Sequence, residues 1–491
     1  MQGHSAANIV PVICSNRIGT EDDIVFYGGS FITDHMGSIV QKLADDSKGG
    51  ILVHEFDLDA IQRARVYWGV FRDRRPDLYG AIATLDGGAG ARASGQPMPS
   101  PLKDLTEAAS SSETLFPGST PASLGYSMPA EWHPHACVWM AWPRKRDLWR
   151  LGCVPAQTAV VGVAAAIARF EPVQLLVRAE DLQAARAAVP PGADISLVVA
   201  DYEDIWLRDT GPTFVLNRAS GRLGSVGWAF NGWGAKDISD AALEDTVSTQ
   251  ITLLARAANG GVPATGFRCA GVLEGGSIHV DGEGTLLTTE ECVLNANRAN
   301  AHLPRRTQAG LSAMFREQLG VETCIFVPRG VHGDADTDGH VDNLCTFVRP
   351  GHVLLTFPDD PTDPQYAISQ QAQQVLESAV DARGRRLVVH RIPHPTPMHS
   401  TPEDLPGLEP VAGTDALLRE AGTRLAGSYI NYYLANGGVV MPRFNVPTDE
   451  PARRVLQALF PDREIVAVDA REILLGGGNI HCITQQQPKM T

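Results

Sequence analysis

Through residues 126–491 short apolar runs recur in pairs, each pair broken by a turn containing Gly or Asn. Residues 212–216, a turn over 217–221 and then 223–230 make one copy. Residues 277–280, 281–284 and 285–289 make a second, and 344–348, 349–351 and 352–357 a third. Looser copies lie at 428–441 and 473–485. The runs have the length of strands, and between them apolar residues return at helical spacing, as over 311–319 and 370–381. The pattern predicts an α/β fold built from one strand-turn-strand-helix unit. Repeated around an axis, such units present the polar ends of their strands to a common centre, so a central site follows.

Residues 1–86 follow another pattern. Apolar runs predict strands over 9–15, 24–27 and 50–56, and helical spacing follows over 58–70, with Asp57 or Asp59 at its N-cap. From 87 to 125 the chain turns to Gly, Ala, Ser and Pro, which cannot bury enough apolar surface to offset the entropy of ordering. The expected organisation is an N-terminal unit over 1–86, a flexible linker over 87–125 and a larger unit over 126–491.

With 491 residues, 44% of them hydrophobic and 20% charged, the chain can bury a large core. Its 41 Lys and Arg against 56 Asp and Glu leave a net charge of -15, which disfavours a nucleic-acid backbone and suits a cationic ligand. Eight cysteines without a Cys-x-x-Cys pair argue against a zinc ribbon or a disulfide framework. No basic leader precedes an apolar core, and no apolar run nears the ~18 residues of a membrane span, so a cytoplasmic, non-membrane protein is expected.

Candidate chemistry concentrates in three stretches. Gly476, Gly477 and Gly478 let the backbone approach a bound group closely, and Cys482 follows in an apolar run; the reading is a strand that delivers one thiol into a cleft. Taken alone, an inert core thiol would be the commoner explanation. Trp206 and Asp209 precede a Gly-Pro turn. His340 and Asp342 stand two apart, on one face if extended, the minimum for proton shuttling and cation binding. His279 and Asp281 share that spacing, which cannot choose between the copies, although Asp281 opens a Gly-Glu-Gly turn and looks structural.

Five ordered phrases then carry a resemblance: Met-Pro-Ala-Glu-Trp from 128, Trp-Leu-Arg-Asp-Thr-Gly-Pro-Thr from 206, Leu-Glu-Gly-Gly-Ser from 273, Gly-His-Val-Asp-Asn from 339, and Gly-Gly-Gly-Asn-Ile-His-Cys from 476. Over nearly all of 128–491 the chain resembles the agmatine deiminases of the guanidine-modifying pentein superfamily. The resemblance implies a five-fold pseudosymmetric α/β propeller that uses no cofactor and no metal. It assigns catalysis to Cys482, His340, Asp209 and Asp342. It puts Trp206 and Asp336 at the pocket end that takes the substrate's distal ammonium, Glu274 at the border of the centre, and Gly478 beside the substrate. His481 reads as structural, pointing away from the thiol along a strand. The segment 390–399, rich in His and Pro, departs from the aromatic-containing loop usual in the family.

The implied reaction is hydrolysis of agmatine to N-carbamoylputrescine and ammonia, in putrescine biosynthesis. A guanidinium is a planar cation whose donors pair with carboxylates; Asp209 and Asp342 would clamp it while the Cys482 thiolate attacks its carbon and His340 handles protons. Deimination of free or peptidyl arginine is the nearest rival. Residues 1–86 resemble the C-terminal part of nitrilase-type N-carbamoylputrescine amidases, a partial αββα fragment, on phrases such as Ser-Asn-Arg-Ile-Gly-Thr-Glu from 15 and Phe-Tyr-Gly-Gly-Ser-Phe-Ile from 26. That family's Glu-Lys-Cys triad falls in the part this chain lacks, so Cys14 is expected to be structural and the block either a catalytically dead remnant or the truncated end of a longer bifunctional fusion. From another class, a non-catalytic assembly partner of an intact amidase stays open, as does a homo-oligomer.

Overall fold

The computed structural model describes residues 5, 9–22, 24–43, 49–58, 60–61, 119–237, 240–258, 264–404 and 420–490, and the chain divides into two units, Met1–Met98 and Pro99–Thr491. The first contains β1 (Ile13–Cys14), β2 (Ile18–Glu21), β3 (Ile24–Tyr27), β4 (Phe31–Thr33) and β5 (Ile39–Lys42). β2 and β3 form an antiparallel hairpin, and β4 pairs antiparallel with β1 and β5. The strand expected over 9–15 shrinks to two residues. Pro11 has no N–H to give a ladder, and Val10 N donates instead to Ser5 O at 3.2 Å. Residues 50–56 enter no ladder and are not the predicted strand; Ile51 is 89% exposed. Asp57 does cap the next turn, its Oδ1 accepting from Ala60 N at 2.9 Å. The helix expected onward to 70, and the linker up to 118, lie outside the described residues.

The second unit opens with β6 (Tyr126–Ser127). β7 (His135–Ala141), β8 (Val173–Val177) and β9 (Ile195–Val199) run parallel, with α1 (Val154–Ile167) crossing from β7 to β8. Four copies of one plan follow, in which an antiparallel pair is joined through a helix to a parallel third strand. They are β10 (Thr213–Asn217), β11 (Arg222–Ala229), α2 (Val247–Ala258) and β12 (Thr265–Val272); β13 (Ile278–Val280), β14 (Thr285–Thr289), α3 (Gln308–Leu319) and β15 (Thr323–Val327); β16 (Cys345–Arg349), β17 (His352–Phe357), α4 (Pro364–Ser378) and β18 (Val388–Pro393); and β19 (Tyr433–Ala435), β20 (Gly438–Arg443), α5 (Asp449–Leu459) and β21 (Glu464–Asp469). Finally β22 (Gln485–Pro488) returns to lie antiparallel to β7, so the first sheet has the same plan with its pair drawn from both ends of the unit.

Local chemistry explains the hairpins. Asn217 Oδ1 accepts from Ala219 N and Ser220 N at 3.1 and 3.0 Å, and the two-residue Asn436-Gly437 turn uses a Gly437 φ of +84°. Parallel strands covered on both faces need continuous apolar runs. Val138, Trp139 and Met140 of β7 are almost fully buried in one core cluster with Val160, Val163 and Ile167 of α1. The copy expected over 473–485 is not a hairpin. A helical turn, Arg471–Leu475, is followed by irregular turns through the glycines, with Gly477 at φ +114°, before β22 begins. Among the described residues no helix is long and apolar enough to cross a membrane.

Candidate active site

Cys482 therefore stands on a turn rather than a strand. The turn is closed by Ile483 N donating to Asn479 O at 3.3 Å and Thr484 N to His481 O at 3.1 Å. Gly478 has to be small: a Cβ there would lie 2.6 Å from the Trp206 ring and 3.1 Å from Cys482 Sγ. Asn431 fixes the turn, its Oδ1 accepting from His481 N at 2.9 Å and from Cys482 N at 3.3 Å. Its Nδ2 lies 3.2 Å from Sγ.

The carboxylates arrive from two short helical turns. Asp209 lies on Leu207–Thr210, tied to the Cys482 turn by Arg208 N donating to Cys482 O at 3.1 Å. Asp209 accepts from Gly276 N and from Trp233 Nε1, each at 2.9 Å. His340 and Asp342 are not extended: His340 is the residue before the one-turn helix Val341–Asn343, which contains Asp342. His340 N donates to Asp334 Oδ2 at 3.2 Å. A Cβ added to Gly276 would lie 2.7 Å from His340 Nδ1, 2.9 Å from Asp209 Oδ1 and 3.0 Å from Asp342 Oδ2, so the three converge around one glycine. Cys482 Sγ is 3.6 Å from Asp342 Oδ2. Thiol, imidazole and two acids from three segments thus converge, all of them buried.

Burial, then the Asp342 and Asp209 carboxylates, push the Cys482 thiol well above the usual thiol range. Burial works against a charged His340, but Asp209, Cys292 and Glu274 overcome it and hold the imidazole well above its ordinary value. Asp209 is raised by burial. For Asp342 burial is outweighed by the hydrogen bond from His481 and the His481, His340 and Arg208 charges, leaving it below the usual carboxylate range. Burial and the neighbouring carboxylates thus disfavour the thiolate of Cys482, while Asp209, with Glu274, favours the charged form of His340.

Glu274 is 1% exposed, its Oε2 lying 4.0 Å from His340 Nε2 and its Oε1 accepting from Arg298 Nε at 3.0 Å. Among the described residues, Glu274, Cys292 and His340 bring three donor atoms of metal-ligand type within 4.8 Å of one another, but Arg298 already occupies one Glu274 oxygen. Trp206 is buried and donates from Nε1 to Asp204 Oδ2 at 3.0 Å. Asp336 is half-buried in the loop before His340, its backbone carbonyl accepting from Lys236 Nζ at 3.2 Å. His481 does not point away from the site. Its Nδ1 lies 2.8 Å from Asp342 Oδ2, because the backbone there turns rather than alternating. Of the second copy, His279 lies 2.7 Å through Nε2 from Thr346 Oγ1, and Asp281 caps its turn.

Sequence reading missed Asn431, Trp233, Cys292 and Glu131. Asn431 had no local signal. Trp233 had one, its place between Gly232 and Gly234; the structure holds it at φ +52°.

The family model described as Porphyromonas-type peptidyl-arginine deiminase matches residues 127–488, and that described as carbon-nitrogen hydrolase matches residues 1–66. An agmatine deiminase of Pseudomonas fluorescens (strain SBW25) is 50% identical over 373 residues, covering 75% of this chain and 97% of the relative. One of Stutzerimonas stutzeri (strain A1501) is 49% identical over 374 residues, again with 75% and 97% covered. The solved agmatine deiminase of Enterococcus faecalis has a TM-score of 0.70 at 36% identity, covering 77% of this chain and 100% of that one.

Proposed function

The chain belongs to the Porphyromonas-type peptidyl-arginine deiminase family, and from that premise we propose that it is an agmatine iminohydrolase. It hydrolyses agmatine to N-carbamoylputrescine and ammonia, a step toward putrescine. The observation that carries the reading is the convergence of His340, Asp209 and Asp342 around Gly276, with Cys482 Sγ 3.6 Å from Asp342 Oδ2.

The guanidinium enters between Asp209 and Asp342 and offsets the two charges that keep the thiol protonated. The thiol then loses its proton to water, and its sulfur bonds to the guanidinium carbon. The tetrahedral adduct collapses as His340, already protonated, gives its proton to the departing nitrogen, which leaves as ammonia. Neutral His340 next takes a proton from water, whose oxygen attacks the amidino-cysteine carbon. The C–S bond breaks as the adduct's hydroxyl forms the carbonyl and its proton passes to solvent, so that N-carbamoylputrescine leaves and the thiolate is restored. Trp206 and Asp336 line the distal end, where a carboxylate attracts agmatine's ammonium and repels an arginine α-carboxylate. Gly478 lets the substrate approach the sulfur, and the machinery uses no cofactor. The setting is cytoplasmic.

Incubation with agmatine, free arginine and a peptidyl-arginine substrate, with products read by mass spectrometry, tests the assignment. Agmatine is expected to be turned over far faster than either, and Cys482→Ser to be inactive. A Cys482→Ser protein that still released ammonia from agmatine would sink the assignment.

For the first unit a docking role is favoured by its apolar exposure, with Ile13 69%, Val25 71% and Ile51 89% exposed. We read it as an association element for an intact carbamoylputrescine amidase or a second copy. Co-purification of the amidase with the chain, lost on deleting residues 1–86, is the expected result.

A further inference from the structure

A second set of buried charges backs Asp342. His481 bridges two carboxylates, with Nδ1 2.8 Å from Asp342 Oδ2 and Nε2 2.8 Å from Glu131 Oε1. Glu131 Oε1 is also 3.5 Å from Arg208 Nη1, and its Oε2 3.4 Å from His279 Nε2. The Glu131 backbone is anchored in turn: its carbonyl oxygen lies 2.9 Å from His135 Nε2, and that ring's Nδ1 is 3.1 Å from Glu171. The result for Asp342 is asymmetric. Oδ2 is engaged by His481, while Oδ1 is buried with no hydrogen-bond partner.

We propose that Glu131 and His481 are positioning residues that hold Asp342 ionised, with Oδ2 engaged and Oδ1 free for the guanidinium. This rests on Cys482 and Asp342 having the roles given above. A lone carboxylate in such a place would protonate or turn toward another donor. An imidazolium between two acids prevents both, provided the far acid is charged. Burial opposes charge on Glu131, yet His481, His279 and Arg208 hold it well below the carboxylate range. Burial and Arg208 oppose charge on His481, and Glu131 and Asp342 overcome them.

Two variants of the full-length chain test this. Glu131→Gln keeps the shape and removes the charge; His481→Asn keeps an N–H near Asp342 but cannot reach Glu131. With agmatine, kcat/KM should fall by about 10²-fold, mostly through KM. The second readout is the acid limb of kcat/KM with agmatine across pH. The groups facing Asp342 are His481, His340 and Arg208, and those facing the sulfur are Asp342 and Asp209. Because His481 holds Asp342 below the usual carboxylate range, losing the charged bridge should move that limb to higher pH. A merely loosened site would lower kcat/KM at every pH without moving the limb, and that outcome would overturn the proposal, as would agmatine kinetics within twofold of the parent. Should both variants fold poorly, neutron diffraction on the unaltered protein decides, with protons on both His481 nitrogens expected and a singly protonated ring contradicting it. If instead the parent failed to turn over agmatine, the functional assignment would be at fault rather than this one.

Discussion

The chain carries His-Val-Asp twice, at 279–281 and at 340–342, and the two copies meet different backbones. His279 lies on β13, where its ring touches Thr346 and Glu131, and Asp281 follows as a turn cap accepting from Glu283 N and Thr285 N at 2.8 and 2.9 Å. His340 precedes a single helical turn, and that departure from strand geometry brings His340 and Asp342 to the same glycine as Asp209. Identical spacing therefore does not specify identical direction. A strand alternates its side chains, whereas a cap followed by one turn folds two of them inward.

The sharpest way to break this contrast is at the sulfur that the 340–342 copy faces. Cys482→Ser should cost about 10⁴-fold or more in kcat, whereas Cys292→Ser, on the far side of His340, should cost less than ~10-fold; a discontinuous ammonia assay separates them. Next comes the imidazole. His340→Asn should lower kcat by about 10³-fold and His279→Asn by under ~10-fold, and equal losses would erase the distinction between the copies. The acids come third. Asp342→Asn should lower kcat/KM by about 10²-fold, while Asp281→Ala should leave kinetics alone and destabilise by about 1–2 kcal/mol in a urea melt.

A smaller effect is expected in stability against pH. Glu131 and Asp342 are held below their ordinary values, so their contribution is present above the unfolded carboxylate range and is lost as pH falls through the folded values. His481 is raised, so its contribution is full below its ordinary 6.5 and is lost as pH rises through the folded value. The gap in denaturation midpoint between the parent and His481→Asn should be widest between about pH 4.5 and 6.5, and an unchanging gap would contradict the sign. Smallest of all, Cys14→Ala should change nothing, and the purified chain should release no ammonia from N-carbamoylputrescine.

Paired apolar runs were enough to read β10 with β11, β13 with β14 and β16 with β17 to within a residue or two, because each pair is a local hairpin with a turn residue at its bend. Less legible were elements whose partners are distant. β22 pairs with β7 across most of the unit, and three glycines disguised the turn before it as a strand. Within the site, Cys482, His340, Asp342 and Asp209 were visible as chemistry-bearing residues in motifs. Asn431 and Glu131 act on residues 51 and 350 positions away, and no spacing rule reaches so far. Of the N-terminal strands, 24–27 is β3 as expected, whereas the run over 9–15 holds Pro11 and pairs only at Ile13–Cys14, and 50–56 is apolar but enters no ladder.

The antiparallel seat of β22 on β7 also sets a timetable. On a ribosome the four hairpin-helix-strand modules can each condense as they emerge, but the sulfur and the strand that anchors it are made after all of them. The Cys482 turn is thereby the last piece of the site to be made, and it takes its seat only when one edge of an early sheet, waiting since residue 141, receives its late neighbour.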